Sequence, residues 1–97
     1  MKKKSFVGVM SYKEEGIKYN NYCLLYSPSE SPFMSNYLEE IAEFYYYFSN
    51  NPLTYVPPEN DPKIIDFSYI RYFPLNENQR EIFQKTLKKI RLENRNL

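Results

Sequence analysis

The spacing of apolar residues changes along this chain, and each change marks an element. Over residues 5–12, SFVGVMSY, two sets alternate: Phe6, Gly8, Met10 and Tyr12 against Val7, Val9 and Ser11. A period of two, filled with β-branched and aromatic residues, predicts a strand. KEEG follows, a polar turn in which Gly16 suits a left-handed backbone. Residues 17–26, IKYNNYCLLY, alternate again, with Ile17, Tyr19, Asn21, Cys23 and Leu25 against Lys18, Asn20, Tyr22, Leu24 and Tyr26. Residues 5–26 therefore read as a β-hairpin.

After the break SPSESP the period lengthens. Met34, Tyr37, Leu38, Ile41, Phe44, Tyr45 and Phe48 recur at helical spacing. Ser31 reads as an N-cap and Pro32 as the first helical residue, where a missing N–H costs nothing. The helix is expected over 32–49, and NNP stops it. A proline-rich loop is expected over 50–62. Residues 63–73, KIIDFSYIRYF, return to strand character, with Ile65, Phe67, Tyr69 and Phe73 as the more apolar face. Pro74 ends that strand. Asn76 caps a last helix over 77–94, with Gln79 three residues on as in a capping box. Ile82, Phe83, Leu87 and Ile90 form its apolar stripe.

The order β-β-α-β-α predicts an α+β fold: a small two-layer domain with a three-stranded antiparallel sheet and two helices on one face. Ninety-seven residues suit one domain spanning 1–97. Both faces of the strands carry tyrosine, so the pattern leaves open which face meets the helices.

The stretch EFYYYF, 43–48, cannot point all its rings into one core, because successive helical residues turn by about 100°. Tyr45 falls in the core stripe. Tyr46 and Tyr47 fall opposite, beside Glu39, Glu40 and Glu43. Two outcomes follow from the pattern. The pair folds back under Tyr55 and Val56 of the following loop, or it forms an acidic, tyrosine-rich contact surface. Tyrosine is enriched at interfaces because it offers a stiff apolar area with a polar tip. Flanking carboxylates favour a partner with a basic surface. The partner-binding set is thus Glu39, Glu40, Glu43, Tyr46, Tyr47 and Tyr55.

Composition changes this picture little. The 11 Tyr and 7 Phe are residues that an AT-rich genome would favour, so placement matters more than number. Charge adds more. The net charge of +1 conceals segregation, since no Lys or Arg occurs between Lys18 and Lys63. The acids of the first helix lie in that stretch, whereas the second helix exposes Arg80, Lys85, Lys88, Arg91 and Arg95. Opposite charge on the two helices also allows chains to pair acidic face to basic face, as a homo-oligomer.

Enzymatic chemistry has little to work with, and a non-enzymatic role is expected. There is no histidine, hence no His-based triad. Cys23 reads as a buried small hydrophobe. Two glycines cannot form a phosphate-cradling loop, so no cofactor is expected, and no Asp/Asn-rich loop suggests a metal. No run approaches the ~20 apolar residues of a membrane span, so no membrane partner is expected. MKKKSFVGVM has too short an apolar run for a signal peptide. A single cysteine fits a reducing cytoplasm, the cell's own or an infected host's.

The alternative is single-stranded nucleic acid, RNA in particular. Tyr22, Tyr69 and Tyr72 would stack bases, while Arg71, Lys85, Lys88 and Arg91 would hold phosphate. The small net charge makes that partner the less favoured. A compact chain of this character fits a phage or mobile-element protein that inhibits or modulates a host complex.

Overall fold

The structure is a computed structural model and describes residues 4–26, 32–57 and 69–95. The strands are β1 (Ser5–Glu14), β2 (Ile17–Leu25), β3 (Phe33–Ser35), β4 (Leu53–Thr54) and β5 (Tyr69–Pro74). The helices are α1 (Leu38–Phe48), after β3, and α2 (Glu77–Arg95), after β5. The hairpin forms as the alternation requires, with Phe6 opposite Leu25 and Tyr12 opposite Tyr19. Its turn holds two left-handed residues, Glu15 at φ 52° and Gly16 at φ 81°. Such a two-residue turn matches the right-handed twist of the strands it joins.

The sheet is mixed and five-stranded, not a three-stranded antiparallel one. β1 is its centre. β2 lies along one edge of β1. The other edge is shared end to end. β4 runs parallel to Ser5 and Phe6, and β5 runs antiparallel to Gly8 through Lys13. Pro74 opposite Gly8 lacks an N–H, which makes it a natural end for β5. β4 falls within the expected loop, and the Ser5 N–H donates to the Pro52 carbonyl at 2.9 Å. The backbone hydrogen bonds open at the start of β1 outweigh the loop character of a proline-rich segment.

The first helix is shorter than expected and begins at Leu38 rather than at 32. Phe33–Ser35 pairs instead with Leu24, Cys23 and Tyr22 on the outer edge of β2. Helical spacing at Met34 was thus overridden by an unpaired strand edge nearby. The expected cap Ser31 and strand residues 63–68 lie outside the described residues. Asn76 and Gln79 do form the reciprocal capping box. The Gln79 N–H donates to Asn76 Oδ1 at 2.8 Å, and the Asn76 N–H to Gln79 Oε1 at 2.9 Å.

Two apolar clusters bury opposite faces of the sheet. Val7 and Leu24 join Leu38, Ile41, Ala42, Phe83, Leu87 and Ile90, so both helices pack on that face. Phe6, Met10, Tyr12, Cys23, Leu25, Ile70 and Tyr72 form the other cluster. On β5 the expected faces are reversed, with Ile70 and Tyr72 buried and Phe73 exposed. Ile82 and Phe48, both expected in core stripes, are also exposed.

Cys23 is fully buried in the second cluster. Burial pushes its thiol from 9.0 up to about 12, partly offset by a backbone hydrogen bond at Gly8. Folding favours the neutral thiol. Its stabilisation is complete below pH 9 and lost as pH rises toward 12, at about 1.4 kcal/mol per unit. Burial also raises Tyr12, Tyr55 and Tyr72 from 10.0, which acts in the same direction at higher pH. The urea midpoint should therefore fall from about pH 9 upward, and less steeply in Cys23→Ala. A midpoint that stays flat through that window contradicts the burial of the thiol.

Candidate partner-binding surface

The ends of α1 fix how its side chains are presented. Tyr37 occupies the N-cap in extended conformation, with no side-chain cap of its own. Ser35 supplies the closure. Its Oγ accepts the Tyr37 N–H at 3.0 Å and donates to Glu40 Oε2 at 2.9 Å. Glu39 and Glu40 in the first turn also oppose the positive end of the helix dipole. At the other end the Ser49 N–H donates to the Tyr45 carbonyl at 3.1 Å, and Tyr45 Oη donates to the Asn51 carbonyl at 3.1 Å. Ser49 Oγ lies 3.0 Å from Ser5 Oγ, which ties the helix end to β1.

The expected partner-binding residues divide into two groups. Glu39, Glu43 and Tyr47 are exposed on the outer side of α1, with Tyr47 58% accessible. Glu40 is exposed there too, but its carboxylate also closes the helix start. Tyr46 and Tyr55 belong elsewhere. Tyr46 is half-buried against the main core and lines a cleft with Tyr45, Asn51 and Arg91. Tyr55 packs on α2, accepting from Gln84 Nε2 at 2.7 Å beneath the Arg80 guanidinium, 5.4 Å from its ring centre. It does not cover the Tyr46–Tyr47 pair, whose rings meet edge to face at 5.0 Å. Val56 is exposed. Tyr47 reaches α2 instead, its Oη accepting from Asn94 Nδ2 at 3.2 Å.

Aromatic exposure on α1 is greater than the sequence pattern suggested. Phe48 is 67% accessible and Tyr37 64%. Phe48 continues a ladder of rings, with Phe44 at 4.8 Å and Phe33 stacked on Phe44 at 4.1 Å. On an ideal wheel Tyr37, Phe44 and Phe48 lie about 70–110° from the centre of the buried set Leu38, Ile41, Ala42 and Tyr45. One signal for this was available. Ala42, the chain's only alanine, is buried. Counting it in the stripe turns the core away from Tyr37 and Phe48.

The residues of the nucleic-acid alternative are not assembled on one platform. Tyr22 lies opposite Val9 on the helix-facing side, where Gln79 Nε2 donates to its hydroxyl at 3.3 Å. Tyr72 lies opposite Met10 and is buried on the other side. Tyr69 pairs with Lys13 and Arg71 with Ser11 on β5. Lys85, Lys88 and Arg91 are exposed on α2.

Among the described residues, no group of three or more His, Cys, Asp or Glu stands close enough to hold a metal ion. No helix among them is long and apolar enough to cross a membrane. The described residues form a small α+β domain with two helices and a mixed five-stranded sheet. No protein-family model, curated protein or solved structure matches it.

Proposed function

We propose that the chain is a non-enzymatic protein-binding module whose contact surface is the outer side of α1. One observation carries this: an 11-residue helix and its cap expose Tyr37, Tyr47 and Phe48 beside Glu39, Glu40 and Glu43. Contiguous exposed apolar side chains, rather than ones scattered singly, mark contact surfaces, and Phe48 is continuous with Phe44 and Phe33. Here the rings supply desolvated anchors. The carboxylates orient and steer a partner with a basic surface, as in an inhibitor or modulator of a larger complex. Relative to the sequence pattern, Tyr37 and Phe48 replace Tyr46 and Tyr55 in the contact set.

The test is affinity capture from lysate of the native cell or host, run beside Tyr37→Ser/Phe48→Ser. Both positions are exposed, so the variant should keep its stability within about 1 kcal/mol. Loss of the two anchors should weaken a captured protein at least about tenfold. Equal capture by both chains removes α1 as the contact surface. Recovery of nucleic acid, released by nuclease or salt, would favour the basic side of α2 as the working surface.

A further inference from the structure

The same surface poses a question of occupancy. α1 carries Glu39, Glu40 and Glu43 and no basic residue. α2 carries six basic residues, Arg80, Lys85, Lys88, Lys89, Arg91 and Arg95, against Glu77, Glu81 and Glu93. The helices thus have opposite net charges of equal size, −3 and +3. Both pack on one face of the sheet, so they form a single outer layer.

The outward residues are also matched in spacing. Glu40, Glu43 and Tyr47 stand at i, i+3 and i+7 on α1. Lys85, Lys88, Lys89 and Leu92 stand at i, i+3, i+4 and i+7 on α2. Each set lies on one side of its helix. Each also includes a large exposed apolar side chain, Leu92 at 50% and Ile82 at 46% on or beside the α2 set, with Tyr47 and Phe48 on α1.

We infer that the occupant of this layer is a second copy of the chain, with α1 of each copy on α2 of the other. A two-fold axis lying in the interface places acidic helix on basic helix twice, by the same contact. With the paired helices parallel, Tyr47 meets Leu92 toward their C-terminal ends, and Glu43 and Glu40 fall opposite Lys88 or Lys89 and Lys85. A parallel arrangement of like helices would set −3 against −3 and is disfavoured by repulsion. The inference rests on the proposal that the outer side of α1 is a contact surface.

Sedimentation or light scattering from about 5 to about 500 µM reads it directly, since mass action makes a dimer concentration-dependent. The mass should move from 11.8 kDa toward twice that value. Raising salt from about 50 to about 500 mM should weaken association at least about tenfold. Glu39→Lys/Glu43→Lys and Lys85→Glu/Lys88→Glu should each be monomeric alone and should restore the dimer when mixed in equal amounts. Far-UV circular dichroism checks that both variants fold, and the salt series needs only the unsubstituted chain.

A mass of 11.8 kDa at every concentration overturns the inference. So does a salt-independent dimer, or a mixture of the folded variants that stays monomeric. A monomeric chain that still captures a protein, and loses it with Tyr37→Ser/Phe48→Ser, overturns self-pairing alone. A charge-rescued dimer that captures nothing else leaves self-pairing standing and removes the foreign partner.

Discussion

Phe83→Ala is expected to cost about 3–5 kcal/mol of stability, as large-to-small changes at buried aromatic sites do. Phe83 is fully buried, and its ring meets Tyr45 edge to face at 6.0 Å. α2 is long but mostly polar, and among its described side chains Phe83, Leu87 and Ile90 belong to the buried core. A helix of this kind gains most of its stability from the face it buries. Small domains have only about 5–15 kcal/mol in total, so the loss is a large fraction. The urea midpoint should fall with its slope unchanged. Ile82→Ala, one residue away but 46% exposed, should cost less than about 1 kcal/mol. Similar losses at the two positions would contradict the orientation of α2, as would a loss below about 1 kcal/mol at Phe83.

Gly8→Ala is expected to destabilise by about 1–3 kcal/mol, and Gly8→Val by more, through overpacking. Gly8 sits at the centre of the sheet, between Cys23 of β2 and Pro74 of β5. A Cβ at this position would run into the Phe73 carbonyl oxygen and the ring of Phe6. Phe6 is itself buried and packs edge to face on Tyr72 at 6.1 Å. The glycine is therefore required for space rather than for its torsion angles. The carbonyl belongs to the β1–β5 ladder and cannot withdraw without loss of pairing. Phe6→Leu should partly rescue Gly8→Ala by clearing one of the two obstacles. The double-mutant cycle then shows a coupling of about 0.5 kcal/mol or more. Additive effects would place the Phe6 ring elsewhere.

The two substitutions concern opposite faces of the sheet. Phe83 holds the helix layer that carries the proposed contact surface. Gly8 lets the far face close around Phe6 and Tyr72. Gly8→Ala acts on the far face and leaves the outward residues of α1 and α2 in place. A folded Gly8→Ala chain should therefore keep its binding behaviour while its unfolding midpoint falls.

Local chemistry was enough to define the hairpin, its turn at Gly16, the capping box at Asn76 and Gln79, and the α+β class. Those features depend on residues close in sequence, so alternation, a left-handed glycine and an Asn-x-x-Gln spacing suffice. The acidic outer side of α1 was legible for the same reason, whereas the pattern left open whether Tyr47 would be exposed or covered by the following loop. Tertiary structure decided the rest. Phe33–Ser35 became a strand because β2 had a free edge, and Leu53–Thr54 because the start of β1 did. The β1–β4 pairing joins residues far apart in the chain, and the β2–β3 pairing crosses the SPSESP break, so the alternation within either segment does not reveal its partner. Starting α1 at Leu38 moved Met34 onto the sheet and turned Tyr37 and Phe48 outward. Tyrosines and phenylalanines occur on every face of this chain, so hydrophobicity could not say which would be covered. That depended on where α2 lies. It draws Tyr55 under Arg80 and Gln84, leaving Phe48 and Tyr37 exposed beside the glutamates.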